Sequence, residues 1–407
     1  MASQLLVDLF QAYYDARRNK RGTINALRFE LDFESELFKL YEEIESRTYE
    51  ISKSVCFISD YPIKREIFAG CFRDRIIHHL IFNYLNPLCE RLFINDSYSC
   101  RKGKGTSYGV KRADHFIRSC SKNYKKDCYI LKLDIAGYFM SIDKIILSDK
   151  IEKIIKRFEQ EIKCDPELIR WLIGKVIFHD PTRNCIVKGK GEDWVGLPKS
   201  KSLFFAKKNC GLPIGNLTSQ LFGNVYLNDL DHFIVYKLGC RRYGRYVDDL
   251  LIVHQDKRFL QSLIISVGDY LDETLALKLH PKKIYLQQFK KGVIFLGRII
   301  KPYRIYIKTR IKGNMRRRVS ALKMMLDRNG MVEKKDILKL ISSLNSYMGI
   351  LKSCSAYTLQ MKFIEMNSAL FRGYVCLIGD DKEKNVRFVG SVAGNFVFDK
   401  NHKKKCA

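Results

Sequence analysis

Apolar residues recur at helical spacing along the first fifty positions: Leu5, Leu6, Leu9, Phe10 and Tyr13, then Leu37, Leu40 and Tyr41. A basic run, RRNKRG at 17–22, links these predicted helices. Residues 54–69 switch to alternation and predict strands, with a turn at Pro62. A helical stripe of Ile76, Ile77, Leu80, Ile81 and Tyr84 follows within 73–93, ending before Pro87. Residues 99–120 begin as a Gly- and Lys-rich loop and become a helix. CYILKLDIAGYF, 128–139, predicts a strand with Leu131, Leu133 and Ile135 on one face and Lys132 and Asp134 on the other. Residues 143–178 are mostly helical; 180–210 are polar and Lys-rich, a loop or short hairpin. Helix returns after Pro213 to about 238, then come a hairpin at 242–254, a helix at 257–277 and strands at 283–307. The chain is helical from about 310 to 370 and ends in two β-like runs, VRFVG and NFVF, and the tail KNHKKKCA.

This order of strand, helix, hairpin, helix and strand predicts an α+β fold, an antiparallel sheet backed by helices with acidic residues at its strand ends. A length of 407 residues predicts two or three subdomains. No run approaches the ~20 apolar residues of a membrane span. The N-terminal segment lacks the pattern of a signal peptide, so a cytoplasmic protein without a membrane partner is expected. The 13 cysteines are odd in number and form no CxxC pair, which argues against zinc fingers and a disulfide framework. Charge changes the picture most. With 73 Lys and Arg against 44 Asp and Glu, the net charge of +29 calls for a polyanion, and nucleic acid is the default.

Within GRYVDDLLIVH, 244–254, two aspartates stand side by side between apolar runs. A DD pair alone is ordinary turn chemistry. If this hairpin pairs with the strand ending in Asp134, about 110 residues earlier, three carboxylates converge. Carboxylates suit Mg²⁺, a hard cation that takes oxygen ligands. Two such ions can activate an attacking hydroxyl and stabilise a leaving pyrophosphate. The cations also reverse the local charge balance, so adjacent aspartates become tolerable.

These residues together resemble a reverse transcriptase. LKLDIAGYF is similar to the family's first catalytic strand and YVDD to its second motif. The resemblance implies a right-hand polymerase with Asp134, Asp248 and Asp249 as catalytic metal ligands for two Mg²⁺ ions, Mn²⁺ being the substitute. It implies Phe139 as a steric gate against a ribose 2′-hydroxyl and Tyr246 beside the primer end. PIKREIFAGCFRDR resembles the fingers strand, with Lys64 and Arg65 at the triphosphate. SYSCRKGKG resembles the template-backbone loop, with Arg101 the best match and Lys102 and Lys104 beside it. GLPIGNLTSQLFGNVYLNDLD resembles the helix after the nucleotide pocket and carries Gln220. LHPKKIYL resembles the motif whose lysine protonates pyrophosphate, here Lys283, and FLGRII the primer grip, here Leu296 and Gly297. Arg310, Lys312, Arg316 and Arg317, interleaved with apolar residues, read as a thumb helix on duplex backbone.

The implied domains are an N-terminal helical region (1–53), fingers (54–127), a palm (128–305) with a basic insert at about 180–210, a helical thumb (306–370) and a basic C-terminal extension (371–407). The expected partners are template RNA, a primer, the cDNA product and dNTPs. IGNLTSQ departs from intron-encoded enzymes and is similar to diversity-generating retroelement enzymes and neighbouring bacterial groups, several of which serve in antiphage defence. In the retroelement enzymes this motif accompanies error-prone copying opposite adenine. Two biological readings stay open: copying a dedicated noncoding RNA in defence, favoured by the insert and tail, or mutagenic cDNA synthesis. The insert and tail are expected to hold that RNA or a partner, an accessory protein or second polymerase. A noncatalytic RNA-binding scaffold, a third reading, would be expected to have lost acidic residues that this chain keeps.

Overall fold

The structure is a computed structural model that describes residues 3–18, 22–60, 63–329, 334–367, 375–380, 385–392 and 395–396. The turn expected at Pro62, the middle of the basic link at 17–22 and the KNHKKKCA tail lie outside the described residues.

In chain order the structure runs through α1 (Gln4–Arg17), α2 (Ile24–Glu30), α3 (Phe33–Glu45), β1 (Ser54–Ser59), β2 (Arg65–Ala69) and α4 (Phe72–Leu92). It continues with α5 (Thr106–Cys120), β3 (Tyr129–Asp134), α6 (Tyr138–Ser141), α7 (Lys144–Arg157), α8 (Pro166–Phe178) and β4 (Cys185–Val187). Then come α9 (Leu217–Tyr226), α10 (Asn228–His232), β5 (Tyr243–Tyr246), β6 (Asp249–His254), α11 (Lys257–Leu275) and β7 (Tyr285–Gln288). The remaining elements are β8 (Val293–Phe295), β9 (Arg298–Lys301), β10 (Arg304–Ile307), α12 (Thr309–Asn329), α13 (Lys334–Lys352), α14 (Tyr357–Met366), β11 (Val375–Asp380), β12 (Asn385–Val392) and β13 (Asn395–Phe396). The arrangement is α+β, as the hydrophobic pattern predicts. The chain divides into two units, Met1–Gly105 with Leu131–Leu286, and Thr106–Ile130 with Gln287–Ala407.

In the first unit, α4 is the central support, packing on α1 and α9. Its stripe buries Phe72, Ile76, Ile77, Leu80 and Ile81. Contrary to expectation, the helix does not stop before Pro87 but runs through it to Leu92. A proline removes one backbone donor. The burial of Leu85, Leu88 and Cys89 on either side holds the helix against that loss. Helix starts follow their caps: Asp143 accepts from the amides of Ile145 and Ile146 at 2.8 and 3.1 Å, and Asp256 from that of Arg258 at 2.7 Å.

The strand expected over 128–139 ends at Asp134. Gly137, at φ +55°, turns the chain into α6, where a Cβ would stand 2.8 Å from the Ser200 carbonyl oxygen. The 180–210 segment is neither a plain loop nor a hairpin of its own. Its strand β4 joins β1 in parallel, giving a sheet ordered β2-β1-β4. A second sheet, ordered β5-β6-β3-β7, sets the YVDD hairpin beside the strand that carries Asp134.

That hairpin rests on a buried ion pair. Arg245 is fully buried, with Nε and Nη2 each 2.7 Å from one oxygen of Asp231 on α10. Its remaining donors reach Ser97 Oγ at 3.2 Å, Asn224 Oδ1 at 3.3 Å and the Val247 carbonyl at 3.1 Å. The Tyr243 hydroxyl donates to Asp231 at 2.6 Å. DLDHF, which reads as helix-end chemistry in sequence, therefore supplies the counterion of Arg245 in the YVDD hairpin. Gly244 gives room for Tyr98, whose ring occupies the place of a Cβ.

In the second unit, β8, β9 and β10 form an antiparallel meander. Leu296 and Gly297, both at positive φ (48° and 79°), form the two-residue turn between β8 and β9. Helices α12, α13 and α14 pack around Met315, Val319, Leu344, Leu351 and Phe363. The VRFVG run lies in β12, and β11, which the pattern does not reveal, pairs with it.

Replacing Arg245 with Met leaves Asp231 buried without its guanidinium. The expected loss is about 3–5 kcal/mol, measured by urea unfolding. A loss within the range of a surface substitution would show that the pair does not hold the hairpin.

Candidate active site

Tyr246 and Asp249 face each other across the hairpin, leaving Val247 and Asp248 as its turn. Val247 has φ +55°, an unfavourable conformation for a β-branched residue. Its carbonyl is pinned by Arg245, so the ion pair beneath holds the strained turn. The turn's geometry puts Asp248 at the tip and Asp249 at the start of β6.

Asp134 closes β3. Its carbonyl accepts from the amide of His280 at 2.8 Å, and the amide of Ala136 donates to the Lys278 carbonyl at 2.8 Å. These bonds lay the LHPKKIYL segment alongside, and Lys283 Nζ stands 2.8 Å from Asp134 Oδ1. Two residues earlier on β3, Lys132 Nζ stands 2.9 Å from Oδ1 of Asp249 on the neighbouring strand β6. The alternation of β3 already puts Lys132 on the face of Asp134, but nothing in sequence names its partner.

Two carboxylates of the triad thus have a lysine each, and Asp248 has none. Burial pushes its carboxyl up to about 6, and the charges of Asp134 and Asp249 add to the push, against the pull of a backbone hydrogen bond and Lys283. Burial pulls Lys283 down, but its hydrogen bond to Asp134 and the charges of all three aspartates outweigh it, so the ammonium is held above its usual range. Among the described residues no three His, Cys, Asp or Glu side chains converge into a ready-made cage. The donor set nevertheless fits a hard divalent cation: three oxygen ligands with an uncompensated excess of negative charge. Asp134, Asp248 and Asp249 would hold it.

Around this centre, Phe139 lies on α6, half-buried, with a ring carbon 3.3 Å from the place of a Cβ on Gly223 of α9. The neighbouring Tyr138 hydroxyl donates to the Gly223 carbonyl at 2.5 Å. Gln220 is exposed on the same helix, whereas Thr218 is buried with its hydroxyl 2.8 Å from His78 Nδ1. Tyr246 is half-buried, which pushes its phenol up, with Cys100 adding to the push and Arg65 opposing it. Arg65 is exposed. Lys64 donates to the Val195 carbonyl at 2.8 Å.

Arg101 does not present itself to a template. Only 5% of its side chain is exposed, and its guanidinium binds Glu90 and the Ile94 and Ser97 carbonyls at 2.7–3.0 Å. The arginine serves as a strut for the loop, because a buried guanidinium needs a partner for each donor. Lys104 reaches the Asn95 carbonyl at 2.5 Å, and Lys102 stays exposed. In the second unit, Arg310, Arg316 and Arg317 are exposed on α12 and Lys312 is half-buried; Leu296 and Gly297 occupy the turn described above.

Comparison with known proteins bears on this geometry. Residues 65–300 match the family described as reverse transcriptase (RNA-dependent DNA polymerase), more than half of the chain. Protein YkfC of Escherichia coli (strain K12) is 22% identical over 280 residues, 61% of this chain and 66% of that protein. Apo telomerase from Candida tropicalis is similar at a TM-score of 0.48 and 12% identity, covering 82% of this chain and 63% of that one. Telomerase from Candida albicans, in complex with a TWJ fragment of telomeric RNA, is similar at 0.46 and 12%, covering 85% and 60%. The chain spans less than two-thirds of the length of each of these proteins.

An acid raised to about 6 destabilises the fold in its charged form. The penalty is absent below about pH 4, grows as pH rises through 6 and is constant above. In metal-free buffer Asp248→Asn is therefore expected to stabilise the protein at pH 8, by about 1–3 kcal/mol, and to give no gain at pH 4. Thermal unfolding at the two pH values checks this; equal gains would show that charge is not the cause.

Proposed function

We infer the function from one premise: this chain belongs to the reverse transcriptase (RNA-dependent DNA polymerase) family. It is an RNA-directed DNA polymerase that extends a primer with dNTPs on an RNA template. The observation that carries this reading is the meeting of β3 and β6. They bring Asp134 beside the Val247–Asp248 turn and leave an excess of negative charge that raises Asp248.

Enzymes of the family depend on divalent metal ions. Bound between the carboxylates, two Mg²⁺ ions would supply activation of the primer hydroxyl and stabilisation of the leaving pyrophosphate. The chain's own residues do the rest. Lys283 holds a proton at Nζ beside the triad and delivers it to the departing pyrophosphate oxygen. Lys132 restrains Asp249 by charge, so that its oxygen keeps a fixed direction. Arg65 and Lys64 meet the triphosphate, and Lys64 must leave the Val195 carbonyl to do so. Phe139, backed by α9, excludes a ribose 2′-hydroxyl by shape. Tyr246 supports the primer end. Arg310, Lys312, Arg316 and Arg317 meet duplex backbone.

The template is a dedicated noncoding RNA, copied as part of an antiphage defence system. The insert supports this reading. It carries exposed Phe205 under Lys199, a ring-and-cation pair suited to a base and its phosphate. The exposure of Gln220 favours the second reading, error-prone cDNA synthesis for a diversity-generating element.

DNA synthesis by the purified protein, co-expressed with its flanking locus, tests the function. The expected result is a product that disappears in the Asp248→Ala/Asp249→Ala variant. Its sequence separates the readings: faithful or repetitive copies of a noncoding RNA mean defence, and adenine-specific errors in a template repeat mean diversification. No product from either protein, with RNA still bound tightly, would make it a scaffold. Phe139→Ala is expected to raise incorporation of ribonucleotides relative to deoxyribonucleotides about tenfold or more, read by single-nucleotide extension; an unchanged ratio would remove the gate.

A further inference from the structure

The second unit carries a column of rings that begins in its core and ends in solvent. Phe289, buried just before β8, stacks on Tyr124 with ring centres 5.9 Å apart and planes 17° apart. Tyr124, half-buried in the link from α5 to β3, meets the ring of Tyr303 at 4.5 Å. Tyr303 is 73% exposed, so most of the last ring is open.

Both tyrosines are held against backbone preference. Lys301 pairs with Arg304 across the β9–β10 hairpin, leaving Pro302 and Tyr303 as its turn. Proline fixes its own φ at about −65°, and Tyr303 follows at +63°. That second position ordinarily belongs to Gly or Asn. On the other side, Lys122, Asn123 and Tyr124 are three successive residues at positive φ, 49°, 54° and 69°. Their conformation is tied down. The Asn123 amide donates to the Arg118 carbonyl and the Tyr124 amide to Ser121 Oγ, both at 2.9 Å. Arg118, paired with Asp114 at 2.9 Å, donates to the Tyr124 hydroxyl at 3.1 Å. Backbone strain persists only where its surroundings over-determine it, and it gathers at ligand clamps. Turn formation would be served better by glycine than by a ring held out in water.

Positive charge surrounds the column. Residues 274–326 contain no Asp or Glu. Lys122, Lys125, Lys126 and Arg304 flank the two tyrosines in sequence, are exposed, and have no carboxylate partner among the described residues. The acids of the same loop and helix are taken, Asp114 by Arg118 at 2.9 Å and Asp127 by Lys290 at 3.2 Å. An acidic peptide would use the cations and leave the rings idle. A duplex would do the same, because its bases are already stacked on each other. We propose that this surface binds a single strand of nucleic acid, with one base on Tyr303 and the flanking phosphates at Lys122, Lys125, Lys126 and Arg304. Every base has a face to stack, so binding here tolerates any sequence. The strand is template RNA or product DNA. The inference goes beyond the polymerase reading, since none of these residues serves the site at Asp134 and binding here needs no metal.

The test uses the full chain in EDTA and photocrosslinks single strands of about 12 nucleotides, one RNA with 4-thiouridine and one DNA with 4-thiothymidine. Crosslinked peptides covering 122–126 or 302–304 are expected, and either strand giving them supports the proposal. Tyr303→Gly removes the ring and suits the positive φ. It is expected to raise the strand concentration that half-saturates the 122–126 crosslink about tenfold, with thermal unfolding nearly unchanged, and Tyr303→Phe is expected to restore binding. Lys125→Glu/Lys126→Glu should weaken it as well and lower the salt slope by about 1 to 2. DNA synthesis is measured in parallel as a separate readout: crosslinks without synthesis strike the polymerase reading and leave this surface standing. The proposal is overturned by the absence of a crosslink in either segment, or by a duplex that crosslinks there as well as a single strand. Loss in the lysine variant with no effect of Tyr303→Gly would overturn it too, and would make the surface a contact for acidic protein.

Discussion

Everything at the candidate active site depends on one buried charge pair, Arg245 with Asp231. Removing two full charges from water is expensive, and the pair survives only because nearly every donor and acceptor is used. The guanidinium reaches two oxygens of Asp231, Ser97, Asn224 and the Val247 carbonyl. A hydrophobic pair of equal volume could fill the space as well. It could not hold a carbonyl in the turn above it. The pair therefore fixes a direction rather than adding bulk stability, and that direction keeps Val247 at positive φ and Asp248 at the tip.

Above this anchor the chain gathers more negative charge than it neutralises. Lys283 and Lys132 each take one aspartate, at 2.8 and 2.9 Å, and the third is left raised. The two lysines differ in freedom. Lys132 extends from the middle of β3 and its side chain is 18% exposed, while Lys283 lies on a turn and is 43% exposed. The first is placed to stay with Asp249; the second is placed to move. A proton donor must move between its carboxylate and a leaving group, whereas a restraint must not, so the difference in exposure matches the difference in proposed role.

Period and motif order made much of this legible. Strand β3, the hairpin and the helices around them follow from alternation and stripes, and the three aspartates follow from their place at strand ends. Three features were not legible, because what decides each is a three-dimensional contact that the local pattern does not name. Asp231 stands 14 residues from Arg245 on a separate helix, and DLDHF alone reads as a helix end. Arg101 has the composition of a phosphate contact, but Glu90, which claims it, belongs to the preceding helix. Pro87 reads as a stop because local rules treat it so, and burial on both flanks overrides them. A charged residue's role is set by whichever partner reaches it first in three dimensions, and a linear pattern does not carry that information.

The insert at 180–210 makes the same point at the scale of a segment. Its polar, Lys-rich composition suggests a loop or short hairpin. Buried Glu66 on β2 instead accepts from Trp194 Nε1, Ser202 Oγ and the Leu203 amide at 2.6–2.8 Å. Further along, Asp143 and Cys210 form a bridge, and Ser200 presses on Gly137 just after Asp134. The insert thus runs from the strand bearing Arg65 to the end of the strand bearing Asp134. Three hydrogen bonds to one buried carboxylate make the first attachment stiff, and a Cβ-free glycine makes the second close. The strand bearing Arg65 and the strand bearing Asp134 are thereby joined through a segment whose composition reads as a loop or short hairpin.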